Sequence, residues 1–422
     1  MNEDFLYYVW RFQLFNTTDL ITARGFPLQI INPGTTNHHS GPDFSNARIK
    51  IDETLWAGNI EIHLRPSDWQ KHGHDQDDAY KSVILHVIYD LAGYQISDPE
   101  PDCLEVKNYL LPHIMNRYYS FLEHPQWIPC EKIIQGLPHE LTPFWLQRLS
   151  IERLEQKTVR IQQDLEAQKW NWDEVFYQHV ARTLGMKVNS EAMQLLAKLA
   201  PAKLLYKHGD NLFHLEALLL GQSGLLNQDF KEDYPQRLKI EYLYWKNTYL
   251  LEPLPSAMWK FMRMRPANFP TLRIAQLAML MFKSQHLFSK ILAAQSVKEL
   301  VNTFDIKVSN YWHNHYILDK PANKPGLKTM GKQVVYNLII NTLIPFIFLY
   351  GRHKNIEAME RKALEFLTQL PAENNTVLRQ WKQLGLSAAH AGDSQALLQL
   401  NNHYCSFKKC LYCHFGHALL KT

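Results

Sequence analysis

Two carboxylates and one histidine, Asp43, Glu61 and His63, form the combination in this sequence with the clearest capacity for chemistry. Glu61 and His63 are two residues apart in a run typical of a strand, so their side chains should point to the same face. A hairpin turn near residues 52–54 would bring Asp43 beside Glu61. Two converging carboxylates stay ionised at low cost only beside a cation. The pattern therefore predicts a site for Mg²⁺ or Mn²⁺, which prefer oxygen ligands.

An ion at this position would polarise a phosphodiester and activate a water molecule for in-line attack. His63 would orient that water, accept its proton or act as a further ligand. The segment NHHSG directly before Asp43 contains His38 and His39, and it would form either the rim of the pocket or a solvated loop.

A second group of polar residues follows in the segment WQKHGHDQDDAYKSVILHV. We expect a polar helix over residues 66–81. His72 and His74 are two residues apart and cannot share a helical face, so both reach one site only from a helix end or a loop. In that case His72, His74 and Tyr80 would contact the substrate or support the ligands. The alternative is a polar surface helix, with the ring nitrogens of His86 hydrogen-bonded in the core of the sheet.

Three cysteines and a histidine near the C-terminus have the spacing of a zinc site. In CSFKKCLYCHFGH the cysteines are separated by four and two residues, and the second histidine lies one helical turn beyond the last cysteine. Three thiolates and one imidazole suit tetrahedral zinc, and C-x2-C is the usual clamp spacing. The predicted ligands are Cys405, Cys410, Cys413 and His417.

Other interpretations of this tail are open at the level of sequence. His403 or His414 could be the fourth ligand, or the cysteines could be reduced thiols buried at a helix end. An iron–sulfur cluster has less support, because the other two cysteines, Cys103 and Cys130, are far away in the sequence.

The segment WKFMRMRPANFPTLRIAQLA is the candidate surface for nucleic acid. Arginine binds phosphate in a bidentate manner and aromatic rings stack on bases. The alternative is a helix–helix junction with a core of aromatic residues and charged side chains that extend from it. The candidate phosphate-binding residues are Arg263, Arg265 and Arg273, next to Lys260, Trp259, Phe261 and Phe269.

The formal net charge of +4 is divided unevenly along the chain. Residues 1–120 carry 9 Lys and Arg against 16 Asp and Glu, a formal charge of −7, which leaves +11 for residues 121–422. An acidic N-terminal part suits a metal site and a basic remainder suits DNA or RNA. Compositional drift explains the division equally well.

The composition also limits the class and location of the protein. Five cysteines and the acidic start MNEDFLYYVWRF predict a cytoplasmic protein rather than a secreted one. The apolar run at residues 334–350 is interrupted by polar residues and predicts a buried helix rather than a membrane span. The sequence has no phosphate-binding loop, dinucleotide-binding glycine turn or serine nucleophile elbow, which argues against nucleotide-driven motors, dinucleotide enzymes and serine hydrolases.

The elements that must position these residues change in type along the chain. A helix at residues 4–15 precedes short apolar runs between turn signals, in the order αβββαβ. Later segments have helical periodicity. We therefore predict an α+β protein with an N-terminal mixed-sheet domain, a large all-α region and a Cys-rich tail. The strands are expected at residues 28–31, 47–51, 55–64 and 83–89, and the domains at 1–123 (sheet domain), 124–143 (linker), 144–400 (helical domain) and 401–422 (tail).

This order of elements, with PD before the second strand and E-x-H in the third, resembles the PD-(D/E)XK nuclease superfamily over residues 3–95. The resemblance implies two carboxylate ligands, a backbone carbonyl ligand and an acidic residue on the first helix. His63 stands where that superfamily usually has lysine, which changes the candidate general base. The implied residues are Asp43, Glu61, Ile62 through its carbonyl, and Glu3 or Asp4.

Over its whole length the chain also resembles a bacterial family of uncharacterised proteins, described as a domain of unknown function. The phrases that carry this resemblance are SGPDF, GNIEIHLRPSDW, VILHV, RMRPANFPTLRIAQLA and DSQALLQL. It implies one shared architecture and no particular activity.

Three functions fit these observations. The first is a Mg²⁺- or Mn²⁺-dependent nuclease with a helical region that binds nucleic acid. The second is an interaction module that has kept the nuclease fold and lost catalysis, which the presence of His63 favours. The third is a metal hydrolase that uses the histidines rather than the two carboxylates, which would favour Zn²⁺.

Overall fold

The computed structural model describes residues 2–37, 40–96, 100–123, 127–137 and 141–421. It confirms the predicted α+β class, with an N-terminal sheet, a large helical region and cysteines near the C-terminus. The chain divides into two compact units. Unit 1 contains Met1–Trp145 and Leu400–Thr422, and unit 2 contains Leu146–Gln399.

Unit 1 is built on a seven-stranded sheet of order β1-β2-β4-β5-β6-β7, in which β3 also pairs with β4. The pairs up to β5 are antiparallel, whereas β6 is parallel to both β5 and β7. The strands are β1 (Leu20–Ile21), β2 (Pro27–Asn32), β3 (Thr35–Thr36), β4 (Phe44–Ile51), β5 (Thr54–His63), β6 (Val83–Ile88) and β7 (Cys103–Glu105).

The four predicted strands correspond to β2, β4, β5 and β6. The β4–β5 hairpin turns at Asp52, whose φ of 52° lies in the left-handed region. The hairpin pairs Phe44 with Ile60. Strand β5 is therefore flanked on both sides, and its last residues are buried because β6 covers the other edge. This register places the start of β4 beside the end of β5.

The helix expected between β5 and β6 is much shorter than predicted. Helix α2 covers Asp68–Lys71, and a single 3-10 turn covers Asp78–Tyr80. Gly73 has a φ of 74°, which ends the helix, and the aspartates that follow are poor helix formers. Residues 72–77 consequently form a loop, which frees His72 and His74 from helical geometry.

Helix α1 (Glu3–Phe12) begins at an N-cap, where the Asn2 side chain accepts a hydrogen bond from the Phe5 backbone N–H at 3.2 Å. Phe5 and Val9 are buried on its apolar face. Glu3 and Tyr7 are four residues apart and share a different face of the helix. This face carries polar groups toward the sheet.

The C-terminal residues belong to unit 1. They comprise a π-helical turn at Leu400–Cys405, a 3-10 turn at Cys410–Tyr412 and a helix at His414–Lys421. Unit 1 also contains helix α3 (Pro112–Glu123) and residues 127–137, which include a 3-10 turn at Ile134–Gly136. Ile128 and Ile134 are buried, so the described part of the expected linker is packed into the unit.

Unit 2 is helical and has one contiguous hydrophobic core. Its short β8–β9 pair is antiparallel. Single 3-10 turns lie at Ser256–Met258 and Pro266–Asn268. The helices and strands are α4 (Leu141–Ala167, which contains the boundary between the units), α5 (Trp172–Leu184), α6 (Ser190–Leu199), α7 (Ala202–Lys207), α8 (Leu212–Gln222), α9 (Asp233–Tyr249), α10 (Pro270–Lys283), α11 (Leu287–Ala293), α12 (Val297–Thr303), α13 (Asn310–His313), β8 (His315–Ile317), β9 (Lys320–Pro321), α14 (Lys332–Leu338), α15 (Ile344–Lys354), α16 (Glu357–Gln369), α17 (Thr376–Gln383) and α18 (Ala391–Gln399).

The most apolar segment forms a continuous helical run, Lys332–Lys354, in which the π-helical turn Ile339–Leu343 joins α14 to α15. By length and composition it could cross a membrane, and it is the one such helix among the residues that the structure describes. Of its apolar window, 72% is buried inside the protein. The predicted buried helix is therefore confirmed.

Candidate active site

Asp43 and Glu61 meet at the end of the β4–β5 hairpin. The Asp43 backbone N–H donates to Glu61 Oε2 at 3.1 Å, and the Ile62 backbone N–H donates to Asp43 Oδ2 at 2.9 Å. Only 4% of Glu61 is exposed. The hairpin register thus brings the two carboxylates together, as their spacing in the sequence predicted. Ile62, whose carbonyl was the implied third ligand, contributes its N–H to this arrangement.

The two carboxylates are held in surroundings that disfavour negative charge. Burial raises the pKa of Glu61, and repulsion by Asp43 raises it further. Burial also raises the pKa of Asp43, although hydrogen bonds from Ile62 and from the Tyr7 side chain oppose this. A divalent cation would reverse the effect, because it stabilises both ionised forms.

Two imidazoles approach the second carboxylate oxygen of Glu61, and a third contacts one of those two. His74 Nε2 lies 3.1 Å from Glu61 Oε1, and His63 Nε2 lies 3.6 Å from the same atom. His72 Nδ1 is 3.1 Å from His63 Nε2. One nitrogen from each of the three histidines lies within 4.8 Å of the other two. Residues predicted separately, from the E-x-H strand and from the following segment, therefore form one cluster.

One nitrogen in this cluster has no hydrogen bond. His74 Nε2 is buried and, among the described residues, has no hydrogen-bond partner, because its close approach to Glu61 lacks suitable geometry. The His74 ring stacks on Tyr80, with 3.8 Å between ring centroids. Tyr80 therefore supports His74. A buried ring nitrogen without a hydrogen bond is available as a metal ligand in the tautomer that leaves it unprotonated.

His63 is oriented from behind by a second buried histidine. His63 Nδ1 and His86 Nε2 are 2.8 Å apart, and His86 Nδ1 lies 3.8 Å from Cys103 Sγ. Burial lowers the pKa of His63 to about 4 and that of His86 to about 3. Both rings are neutral at pH 7, and the contact to His86 leaves His63 Nε2 directed at the cluster.

Helix α1 adds residues that the sequence analysis named only in part. Glu3 accepts a hydrogen bond from the Leu64 backbone and interacts with His72, whereas Asp4 accepts one from Tyr412 at 3.1 Å. Glu3 is thus the acidic residue of the first helix that faces the cluster. Tyr7, which hydrogen-bonds to Asp43, was missed, although its spacing of four residues from Glu3 places both on one helical face.

A cavity of about 180 Å³ lies beside Asp43. Tyr7 and Arg11 of helix α1, Asn37 and Tyr412 also line it. Arg11 continues the spacing of four residues from Tyr7, so it could have been found by the same reasoning. His38 and His39, the predicted rim, lie outside the described residues.

The donors present fit a metal ion that accepts both oxygen and nitrogen ligands. Carboxylates and neutral imidazoles together suit Mn²⁺, Zn²⁺ or Fe²⁺ better than Mg²⁺, which prefers oxygen. His86 and Tyr7 supply the outer hydrogen bonds that orient such ligands. The donor groups of the cluster are therefore chemically compatible with a metal ion, and they contain more nitrogen than the two predicted carboxylates alone would give.

The predicted nucleic-acid surface requires a correction at Arg273. This residue is 2% exposed, and its guanidinium donates to Gln276 Oε1 at 2.7 Å and to Asn268 Oδ1 at 2.6 Å. It is held in the interior because it lies in the middle of the buried helix α10. Arg263 and Arg265 are exposed and keep the predicted accessibility.

The aromatic part of that surface is also partly interior. Trp259 is 5% exposed, and its indole N–H donates to the Ser223 carbonyl at 2.8 Å. Phe261 and Phe269 contact each other, with ring centroids 5.4 Å apart. Trp259 thus belongs to the core of unit 2, and of the three predicted arginines Arg263 and Arg265 remain candidates for phosphate contacts.

The three tail cysteines lie around one cavity, and the fourth residue with a possible ligand there is a cysteine rather than the predicted histidine. Cys405, Cys410 and Cys413 line a small cavity together with Cys130. The fourth predicted ligand, His417, instead places Nδ1 2.6 Å from the Tyr8 hydroxyl. The sequence could not show this, because Cys130 is remote along the chain.

Comparison with known proteins identifies the family and adds no activity. No curated protein and no solved structure matches the chain. A family model described as "Protein of unknown function (DUF2851)" matches residues 3–376. That match covers most of the sequence and includes the hairpin, the histidine loop and most of unit 2. The chain therefore belongs to this family of proteins of unknown function.

Proposed function

We propose that the protein is a metal-dependent hydrolase of phosphodiesters, a nuclease, whose ion is bound by Asp43, Glu61 and His63. The observation that carries this proposal is the position of Glu61. One of its carboxylate oxygens is at the Asp43 backbone, and the other is 3.1 Å from His74 Nε2 and 3.6 Å from His63 Nε2. The PD and E-x-H motifs of the sequence meet at this residue.

The residues around the proposed ion would have different roles in the reaction. A bound ion would supply Lewis acidity and neutralise charge on the phosphate. Tyr7 and the Ile62 backbone hold Asp43 in place, and His86 holds His63. His72 is the exposed imidazole of the cluster, so it is the one placed to accept a proton from a water molecule that approaches from solvent.

The cavity next to Asp43 supports phosphate as the substrate group. Its volume of about 180 Å³ is below the roughly 300–1,000 Å³ of pockets that enclose whole drug-sized ligands. A sugar–phosphate segment fits better than a complete nucleotide with its base. Arg11 lines the cavity and offers a guanidinium for a phosphate oxygen. DNA or RNA is the proposed partner, since both present this segment repeatedly.

The test is cleavage of labelled single- and double-stranded DNA and RNA by the full chain with Mg²⁺, Mn²⁺ or Zn²⁺. We expect Glu61→Gln to reduce the rate by at least about 10²-fold, because it removes a ligand charge. Glu53→Gln makes the same change in the exposed hairpin turn, where Glu53 contacts Lys50 at 3.0 Å, and should keep full activity. A wild-type protein that cuts none of these substrates with any of the ions would contradict the proposal.

The grouping of His63, His72 and His74 favours a second candidate, a histidine-based metal hydrolase. In that case Zn²⁺ should support the reaction better than Mg²⁺, and His74→Gln should cost more activity than Asp43→Asn. The nuclease with paired carboxylates predicts that Asp43→Asn costs more activity than His74→Gln. Nucleic-acid binding without cleavage would instead indicate an interaction module.

A further inference from the structure

Four cysteines from two distant parts of the sequence line one cavity in unit 1. Its volume is about 10 Å³, roughly that of a single water-sized sphere. Three of the cysteines come from the C-terminal segment and one from residues 127–137. All four are free thiols. They are Cys130, Cys405, Cys410 and Cys413.

We propose that these four cysteines bind a thiophilic metal centre, either one zinc ion or one iron–sulfur cluster, through four thiolates. Four cysteine sulfurs are the complete ligand set for a structural zinc ion and also for a cubane cluster. The cavity has the volume of a single ion, so an iron–sulfur cluster would require the surrounding cysteines to move apart. Because all four coordination positions are filled by protein ligands, the metal would stabilise the fold of unit 1, and no position is open for a substrate.

The backbone around the site is arranged as a tight clamp. The Cys413 backbone N–H donates to the Cys410 carbonyl at 3.2 Å, which closes the C-x2-C turn. Gly416 packs against this turn so closely that a Cβ would lie 2.2 Å from the Cys410 carbonyl oxygen. The glycine therefore permits the helix that follows to approach the cysteines.

Backbone donors also point at the sulfur of Cys413. They come from Gly416 and Phe415. N–H groups of this kind orient a ligand that binds a metal ion.

The position of His417 argues against the simpler arrangement of three cysteines and this histidine. Its ring lies 4.1 Å from the Phe12 ring between centroids, and its Nδ1 contacts the Tyr8 hydroxyl. The cavity lining contains Cys130 in its place. The fourth ligand therefore comes from residues 127–137, far from the tail in sequence.

The experiment is elemental and sulfide analysis of the full chain purified without oxygen. We expect either one zinc per chain, or iron with acid-labile sulfide and visible absorption. Cys130→Ser should lose this centre, whereas His417→Asn should keep it. Cys103→Ser removes the remaining cysteine, outside the cavity, and should also keep the centre. Since the histidine cluster of the proposed active site could hold zinc too, the informative quantity is the metal lost on Cys130→Ser.

A second measurement needs no variant and covers the case in which Cys130→Ser fails to fold. Alkylation of the native wild-type protein, read residue by residue by mass spectrometry, should leave all four cysteines protected until a chelator removes the metal. Neither zinc nor iron in folded, reduced wild-type protein would overturn the proposal. So would a metal centre that survives Cys130→Ser and is lost with His417→Asn.

Discussion

The side chains of the candidate site are held in place by neighbours that are distant from them in the sequence. His63 contacts His86 through one ring nitrogen and faces the cluster with the other. The E-x-H spacing predicted His63, and the alternation of a strand was sufficient for that. The role of His86 depends on the register between β5 and β6, which pairs Glu61 with His86. No local pattern in the sequence fixes such a register.

Lys157 of helix α4 provides a test at the scale of one residue. Its ammonium donates to Gln395 Oε1 and to the Ile340 carbonyl, and burial lowers its pKa to about 7, with Arg153 adding to the shift. Below pH 7 both folded and unfolded states carry the proton, so the cost of burying the charge is fully present. Between about pH 7 and the usual lysine pKa of 10.5 only the unfolded state keeps the proton, and stability rises.

We therefore expect Lys157→Met to stabilise the protein most at neutral pH and below. Its advantage over wild type should shrink as the pH rises above 7, by at most about 1.4 kcal/mol per pH unit. The measurement is urea unfolding at several pH values. Lys203→Met, at an exposed lysine, is the control and should show no such trend. An advantage that does not change with pH would contradict a buried, titrating ammonium.

At the scale of elements, periodicity predicted the strands and failed at the connection between β5 and β6. The hairpin followed from alternating apolar residues and a polar turn. The expected helix over residues 66–81 is broken at Gly73, whose positive φ the chain needs in order to turn back. That return brings His74 to Glu61. A loop conformation set by tertiary contacts cannot be obtained from helical or strand periodicity.

Gly416 allows a test of the element that closes unit 1. Gly416→Ala would place a methyl group against the Cys410 backbone, where no flexible side chain can move aside. We expect a loss of about 1–3 kcal/mol in unfolding free energy, or more if the turn opens. Gly136→Ala has nothing within 4 Å of the added Cβ and should be nearly neutral. Thermal denaturation measures both, and equal stability of the two variants would contradict the close contact.

At the scale of the molecule, the charge division of −7 and +11 remains the argument for nucleic-acid binding by the helical region. The structure reduces the number of residues in this region that could contact nucleic acid. Arg273 was chosen from its proximity in sequence to the other arginines, but proximity does not reveal which face of a helix is buried. Helix α10 is buried over nearly its whole length, so its arginine is interior.

Replacement of Arg263 and Arg265 by glutamine should weaken binding of DNA or RNA. We also expect the log–log slope of affinity against salt to flatten by about one per lost phosphate contact. Arg361→Gln removes another exposed arginine of unit 2, which contacts Glu357 at 3.4 Å, and serves as the control. Binding titrations across a range of salt concentrations provide the measurement. An unchanged slope in the double variant would place the phosphate contacts elsewhere.

Unit 1 is made of two stretches of chain, Met1–Trp145 and Leu400–Thr422, and this affects how the protein forms on the ribosome. The sheet is synthesised first, yet its unit is finished last, after all of Leu146–Gln399 has been translated. At about 5–20 residues per second this delay is of the order of tens of seconds. During that time unit 2 can complete its core, whereas Cys130 waits as an unshielded thiol for the cysteines of the tail. We therefore expect chaperones to bind the newly made sheet during this interval. We also expect Cys130 to be most accessible to oxidation at that time.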